Sequence, residues 1–302
     1  MPCTCCPRNC QVDRKTGELG FCGAPDKVKI ARAALHFWEE PCISGTRGSG
    51  TIFFSGCNLA CIFCQNQKIS HNGYGAEITE ERLLKIFWEL REQGAHNINL
   101  VTPTPYIPHL ISVIRQARAA GWDLPIVYNC GGYESVETLK LLNGYVDVYL
   151  TDMKFYREET AEKLCGVSDY FSRAATALRE MLRQTGTCRY DKDGLMTKGV
   201  IVRHLMLPGY LFDSRNLLKY LVDNHADEIV ISLMQQYTPP NPPISNAPDH
   251  TLRNDHYESM VDYLLSRGIE NAFIQEPDTG DPCYIPPFNL HGVHRQEPAS
   301  TL

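Results

Sequence analysis

From Thr51 onward the chain alternates between short β-branched runs and longer stretches of helical period. "TIFF" (Thr51–Phe54), "NINLV" (Asn97–Val101), "PIVYN" (Pro125–Asn129), "DVYLTD" (Asp147–Asp152), "GVIVRHLML" (Gly199–Leu207) and "EIVISLM" (Glu228–Met234) predict strands. "TEERLLKIFWELREQG" predicts a helix with Thr79 as its N-cap, and "YIPHLISVIRQARAAG" a second that ends at Gly121. Further helices are expected over Glu134–Leu142, Tyr170–Thr185 and Ser214–Asn224. Apolar strands alternating with helices predict parallel pairing under a helical cover. Six or seven such units fit a partial or complete (β/α) barrel.

Two segments break the alternation. Residues 1–49 are rich in Cys and Gly. Gln236–His250, "QYTPPNPPISNAPDH", carries five prolines and can be neither helix nor strand. It reads either as a lid over a site or as a rigid crossover, with the crossover favoured.

The 302 residues suffice for one large domain. A net charge of -6 provides no general field for nucleic acid or anionic membrane. No apolar run reaches the roughly 20 residues of a membrane span, and "MPCTCCPRNC" lacks the apolar core of a secretory signal. A cytoplasmic location with no nucleic-acid or membrane partner is expected. Thirteen cysteines are unusual in a reducing compartment and point to metal or redox chemistry. Cys130, Cys165, Cys188 and Cys283 are scattered and read as small core residues.

Cys57, Cys61 and Cys64 follow the first strand with spacing x3 and x2. At the C-terminal end of a barrel strand they would face the functional side. Structural zinc prefers four ligands in two separated pairs. Three thiols on one loop instead suit three irons of a [4Fe–4S] cluster, the fourth iron staying open.

Cys-x3-Cys-x2-Cys with Phe63 before the last cysteine is similar to the radical SAM signature. "FFSGCNLACIFCQN" more narrowly resembles the activating enzymes of glycyl-radical enzymes and uncharacterised relatives of the pyruvate formate-lyase activating enzyme. "VYNCGGY", "DVYLTDMKF" and "IVRHLMLPG" extend the likeness over roughly residues 50–234. The resemblance implies a partial (β/α)6-type parallel barrel with a Cys-rich N-terminal extension. It also implies S-adenosylmethionine chelated by the open iron and cleaved by one electron to a 5'-deoxyadenosyl radical that takes hydrogen from a substrate. A protein substrate is favoured, with an electron donor such as flavodoxin or ferredoxin. The alternatives are a radical enzyme acting on a small molecule or peptide with an auxiliary N-terminal metal centre, and an iron–sulfur electron carrier or partner-binding protein.

The matching positions name cofactor contacts. Asp152 and Lys154 share a face at a strand end. Arg203, inside an apolar strand, needs an anion: the cofactor carboxylate or Asp152. His204, on the opposite face, reads as a core histidine. Asn129 ends the third strand and Phe63 sits within the cysteine loop. Where many members carry Gly-Gly-Glu this chain reads "VTPTP", so Thr102 and Thr104 are expected to offer hydroxyls or carbonyls instead.

Cys3, Cys6, Cys10 and Cys22, spaced x2, x3 and x11, form a candidate second site that suits zinc or a fully ligated cluster equally. Cys5 is spare or replaces Cys3. The expected division is a Cys-rich extension over 1–49, the barrel over 50–275 and a C-terminal tail over 276–302.

Overall fold

The computed structural model describes residues 2–275 and 285–294. Cys283 and most of the tail lie outside the described residues. Among the described residues ten strands occur in chain order: β1 (Val28–His36), β2 (Ser49–Phe54), β3 (Ala76–Ile78), β4 (Ile98–Val101), β5 (Ile126–Cys130), β6 (Val148–Asp152), β7 (Arg189–Tyr190), β8 (Met196–Leu205), β9 (Val230–Met234) and β10 (Ala272–Ile274). They form one sheet in the order β10-β9-β8-β6-β5-β4-β2-β1-β3, with β7 paired to β8. Every neighbouring pair from β10 to β2 is parallel. The six expected strands are all present, and the short β10 extends them. The sheet does not close on itself among the described residues, so the architecture is a partial parallel barrel.

The segment set apart as an N-terminal extension contributes to this sheet. β1 pairs antiparallel with β2 on one side and β3 on the other. The described part of the tail packs on β1: Ala33 N–H donates to His291 O at 2.9 Å and Leu290 N–H to Ala31 O at 3.0 Å.

Sequence period decides which face each strand residue covers. On β6 and β8, Val148, Leu150 and Ile201 point inward with Val127 and Val230, and the short helix Pro41–Ser44 adds Cys42 and Ile43 beneath them. The alternate residues Tyr149, Val200, Val202 and Ile231 face the covering helices. The helix Glu80–Glu92 buries Leu83, Ile86, Phe87 and Leu90 at the i, i+3, i+4, i+7 spacing of an amphipathic stripe. Its N-terminus is capped by Thr79, whose hydroxyl accepts from Arg82 N–H at 3.1 Å. The helix Tyr170–Thr185 has the bounds its pattern predicts. Besides the one-turn helices Pro41–Ser44 and Gln67–Ser70, two longer helices were not expected, Glu158–Cys165 and Asn254–Ser266. The proline-rich segment between β9 and the second of these forms neither helix nor strand.

Candidate active site

The inward positions at the C-terminal strand ends converge on one cleft of about 230 Å3. β2 contributes Phe53, β4 Val101, β5 Asn129, β6 Asp152, β8 Arg203 and Leu205, and β9 Met234. Register explains the grouping. Phe53 lies opposite Val101, Val101 opposite Asn129, and Asp152 opposite Arg203.

The loop after β2 carries the three cysteines over this cleft, and Cys61, Phe63 and Cys64 line it. Its path is fixed by the helix Glu158–Cys165: Ala60 N–H donates to Cys165 O at 3.1 Å and Ile62 N–H to Leu164 O at 3.0 Å. Phe63 packs edge-on against Phe155. Cys57 Sγ accepts from Leu59 N–H at 3.4 Å, and Cys64 Sγ lies 3.3 Å from Ser70 Oγ. Cys61 Sγ is 3.0 Å from the buried Cys165 Sγ.

The thiols are shifted upward in pKa. For Cys61 the Cys165 thiol is the first cause and burial the second; for Cys57 and Cys64 burial leads. Thiolate ligation at this loop therefore depends on the positive charge a metal centre brings. Among the described residues, no three His, Cys, Asp or Glu groups converge as they would around one ion.

Opposite the thiols is a buried charge network. Arg203 donates from Nε to Asp152 Oδ1 at 3.1 Å, from Nη1 to Glu39 Oε2 at 3.1 Å and from Nη2 to Asn129 Oδ1 at 2.6 Å. Lys154 Nζ donates to Asp152 Oδ2 at 2.6 Å, although β6 ends two residues before Lys154. Asn99 Nδ2 donates to Glu39 Oε1 at 2.9 Å. Burial alone would raise the Asp152 carboxyl, but Lys154 and Arg203 outweigh it and hold it below the usual value. Burial works against the charge on Lys154, yet Asp152 and Cys61 raise its pKa well above the ordinary range. Burial raises Glu39 and Glu40 despite Arg203. The buried Glu40 Oε2 has no hydrogen-bond partner. The turn after β5 closes tightly on β6: Gly132 has φ +81, and a Cβ there would lie 2.1 Å from Asp152 O.

The anion that Arg203 requires is thus supplied twice, by Asp152 and by Glu39. Sequence reasoning found the first and missed the second. His36, the last residue of β1, and Trp38, just after it, also line the cleft and were not expected there. His36 is pushed down to about 4 by burial, with Arg32 and Arg203 adding to the effect. His204 is buried on the opposite face, with Nδ1 2.9 Å from Met153 O.

Thr102 and Thr104 are placed differently from Asn129, Asp152, Lys154 and Arg203. Val101 lines the cleft at that strand end. Thr102 takes φ 58 and its N–H donates to Asn129 O at 2.8 Å, so its backbone braces β5. Thr104 is buried, and its hydroxyl donates to Glu134 Oε1 at 2.8 Å. The N-terminal cysteines gather elsewhere: Cys3, Cys5, Cys6, Cys10 and Cys22 surround a separate small cavity.

The donor set fits the groups the resemblance implies. Three thiols on one loop can hold a cluster with an open corner. Asn129, Asp152, Lys154 and Arg203 present charge and hydrogen bonds to a zwitterion, and Phe63, Phe155 and Phe53 offer apolar faces to a nucleoside.

The Radical SAM superfamily model matches residues 51–221. The uncharacterized protein MJ0674 of Methanocaldococcus jannaschii is 32% identical over 244 residues, covering 78% of this chain and 66% of that protein. MJ0808 of the same organism is 25% identical over 250 residues, covering 75% and 66%. Streptococcus suis SuiB bound to precursor peptide SuiA aligns with a TM-score of 0.53 at 12% identity, over 73% of this chain and 46% of that one. The FeFe-hydrogenase maturase HydG of Carboxydothermus hydrogenoformans gives 0.50 at 15% identity, over 77% and 59%. The chain spans about half to two thirds of each protein, and the two solved structures share its fold. With more than half its length inside the family match, a three-cysteine loop at the end of β2 and a charged cleft beneath it, the chain belongs to the radical SAM superfamily.

Proposed function

We propose that this enzyme takes a hydrogen atom from a protein, in the manner of the activating enzymes of glycyl-radical enzymes. Family membership implies a [4Fe–4S] cluster and S-adenosylmethionine, which when bound supply one-electron cleavage of the sulfonium and a radical able to abstract hydrogen. Cys57, Cys61 and Cys64 would hold the cluster. Asn129, Asp152, Lys154 and Arg203 would hold the cofactor's polar end. Because Asp152 is tied to two cations and Arg203 to three acceptors, these groups are oriented before anything binds, which lowers the cost of ordering. Phe63, Phe155 and Leu205 keep water from the thiol side of the cleft.

The observation that supports a protein substrate is the rim. Trp38, 57% exposed, lines the cleft, and Phe37 beside it is 50% exposed. An exposed tryptophan lining a polar cleft suits an apolar side chain flanking the reacting residue of an inserted loop. SuiB, whose fold is similar, has been solved with its precursor peptide. A flavodoxin- or ferredoxin-type donor in the cytoplasm completes the proposal.

The test separates substrate classes by isotope. The reduced, reconstituted enzyme is supplied with S-adenosylmethionine and either a deuterium-labelled host proteome freed of small molecules or the labelled small-molecule extract. Deuterium entering 5'-deoxyadenosine from the proteome alone supports the proposal. Transfer from the small-molecule extract alone overturns it.

A further inference from the structure

The cavity formed by Cys3, Cys5, Cys6, Cys10 and Cys22 is also lined by Arg8, Asn9, Arg14, Phe21 and Asn58. The active site just described uses none of the five thiols. The segment Cys3–Gln11 folds back on itself, with Gln11 N–H donating to Cys3 O at 3.0 Å and Cys3 N–H to Val12 O at 2.9 Å. A short turn then returns Cys22, as the Gly-rich stretch "GELGFCG" requires.

The cavity is set up for negative charge. Arg14 Nη2 donates to Cys3 Sγ at 3.1 Å and to Cys22 Sγ at 3.6 Å, and Phe21 N–H donates to Cys10 Sγ at 3.4 Å. Arg8 lies over the Phe21 ring at 3.6 Å. Arg8 Nη2 and Arg14 Nε are buried without hydrogen-bond partners. Two guanidinium groups with orphaned donors beside five thiols call for acceptors beyond those the protein provides. The free space is small, about 10 Å3, and Arg14 reaches between the sulfurs of Cys3 and Cys22. Zinc held by four thiolates and a cubane held by four are both anionic, but only the cubane adds sulfides as acceptors beyond the cysteine sulfurs.

The cavity also touches the central loop on both sides of Cys57. Asn58, the next residue, lines the cavity, and its carbonyl accepts from Arg8 Nε at 3.0 Å. Gly56, the preceding residue, has φ +88, and a Cβ there would lie 2.6 Å from Cys22 O. One peptide unit, about 3.8 Å from Cα to Cα, separates the cavity wall from a ligand of the central site.

We propose that Cys3, Cys6, Cys10 and Cys22 hold a second iron–sulfur cluster that relays electrons to the central one, with Arg8 and Arg14 bonding its sulfides or thiolates. In each cycle one electron comes from a reduced, low-potential, one-electron donor protein, which is oxidised. It resides on the N-terminal cluster and passes to the central cluster, returning the N-terminal one to its oxidised state. No proton or bond is exchanged between the two centres. This assignment holds whatever the substrate of the central site.

The test uses Cys57→Ala/Cys61→Ala/Cys64→Ala, which removes the central ligands and keeps the N-terminal group of thiols. Reconstituted without oxygen, it should retain about four iron and four sulfide per chain and give a paramagnetic signal on reduction. The wild-type protein should bind about eight iron and Cys10→Ser about four, so the count is readable even where the triple variant fails to fold. With a ferredoxin-type donor, stopped-flow reduction of the central cluster should slow several-fold in Cys10→Ser. Zinc in place of iron in the triple variant, or a wild-type protein saturating near four irons, overturns the second cluster. An unchanged reduction rate in Cys10→Ser overturns the relay.

Discussion

Arg203→Leu removes the guanidinium that ties Glu39, Asp152 and Asn129 together. Asp152 keeps Lys154 at 2.6 Å, so it stays paired. Glu39 keeps only the Asn99 amide at 2.9 Å, and its side chain is 8% exposed. Breaking a buried pair so that one charge is left alone costs about 3–5 kcal/mol, a large part of a typical total of about 5–15 kcal/mol. Protonation limits the loss, because burial already raises the Glu39 pKa. A raised carboxyl pKa means the folded state binds the proton more tightly, so the variant should be hurt more at higher pH. Urea unfolding of the metal-free protein, followed by tryptophan fluorescence without oxygen, reads both effects. Adding Glu39→Gln to Arg203→Leu should recover about 1 kcal/mol or more, since a neutral amide is left where a lone carboxylate was. A loss below about 1 kcal/mol for Arg203→Leu, or no recovery in the double variant, would refute the reasoning that the network depends on Arg203.

Other consequences are as direct. Glu134 is buried and pushed up to about 8, burial outweighing the hydrogen bonds from Thr104 and Tyr128. Its folded pKa exceeds its unfolded one, so stability should fall as pH rises from the ordinary carboxylate range toward 8, by at most roughly 1.4 kcal/mol per pH unit; Glu134→Gln should flatten that slope in urea midpoints, and an unchanged slope would count against the assignment. Gly132→Ala places a Cβ against Asp152 O in left-handed backbone, which should cost at least about 1–2 kcal/mol and weaken S-adenosylmethionine binding by shifting Asp152, as calorimetry can show; wild-type stability and affinity would contradict that close approach.

The six central strands were legible because each is a short run rich in β-branched, aromatic or leucine residues bounded by turn residues. The cysteine loop, Asp152, Lys154 and Arg203 were legible for a different reason. Thiols at short spacing, or a charge inside an apolar strand, conflict with burial unless something is bound or paired. β1 was not legible, because "VKIARAALH" mixes Lys and Arg with alanines and follows a cysteine-rich turn. The helix "EETAEKLC" is short and charged, and its main role is to accept the cysteine loop's N–H groups through Leu164 and Cys165. Glu39 gave no local signal at all, since a Glu–Glu pair before proline reads as solvated loop. The demand it answers lies 164 residues away at Arg203. Period alone could not register the turn into left-handed φ at Thr102 or the bond of the Thr104 hydroxyl to Glu134.

The central claim is that Cys57, Cys61 and Cys64 support radical cleavage of S-adenosylmethionine. The most direct measurement is 5'-deoxyadenosine formed by the anaerobically reconstituted, dithionite-reduced enzyme, compared with Cys61→Ala prepared the same way. The account predicts product from the wild type and none above background from the variant. Equal product from both, or a wild-type protein that fills the central loop with zinc and takes up no iron there, would contradict it.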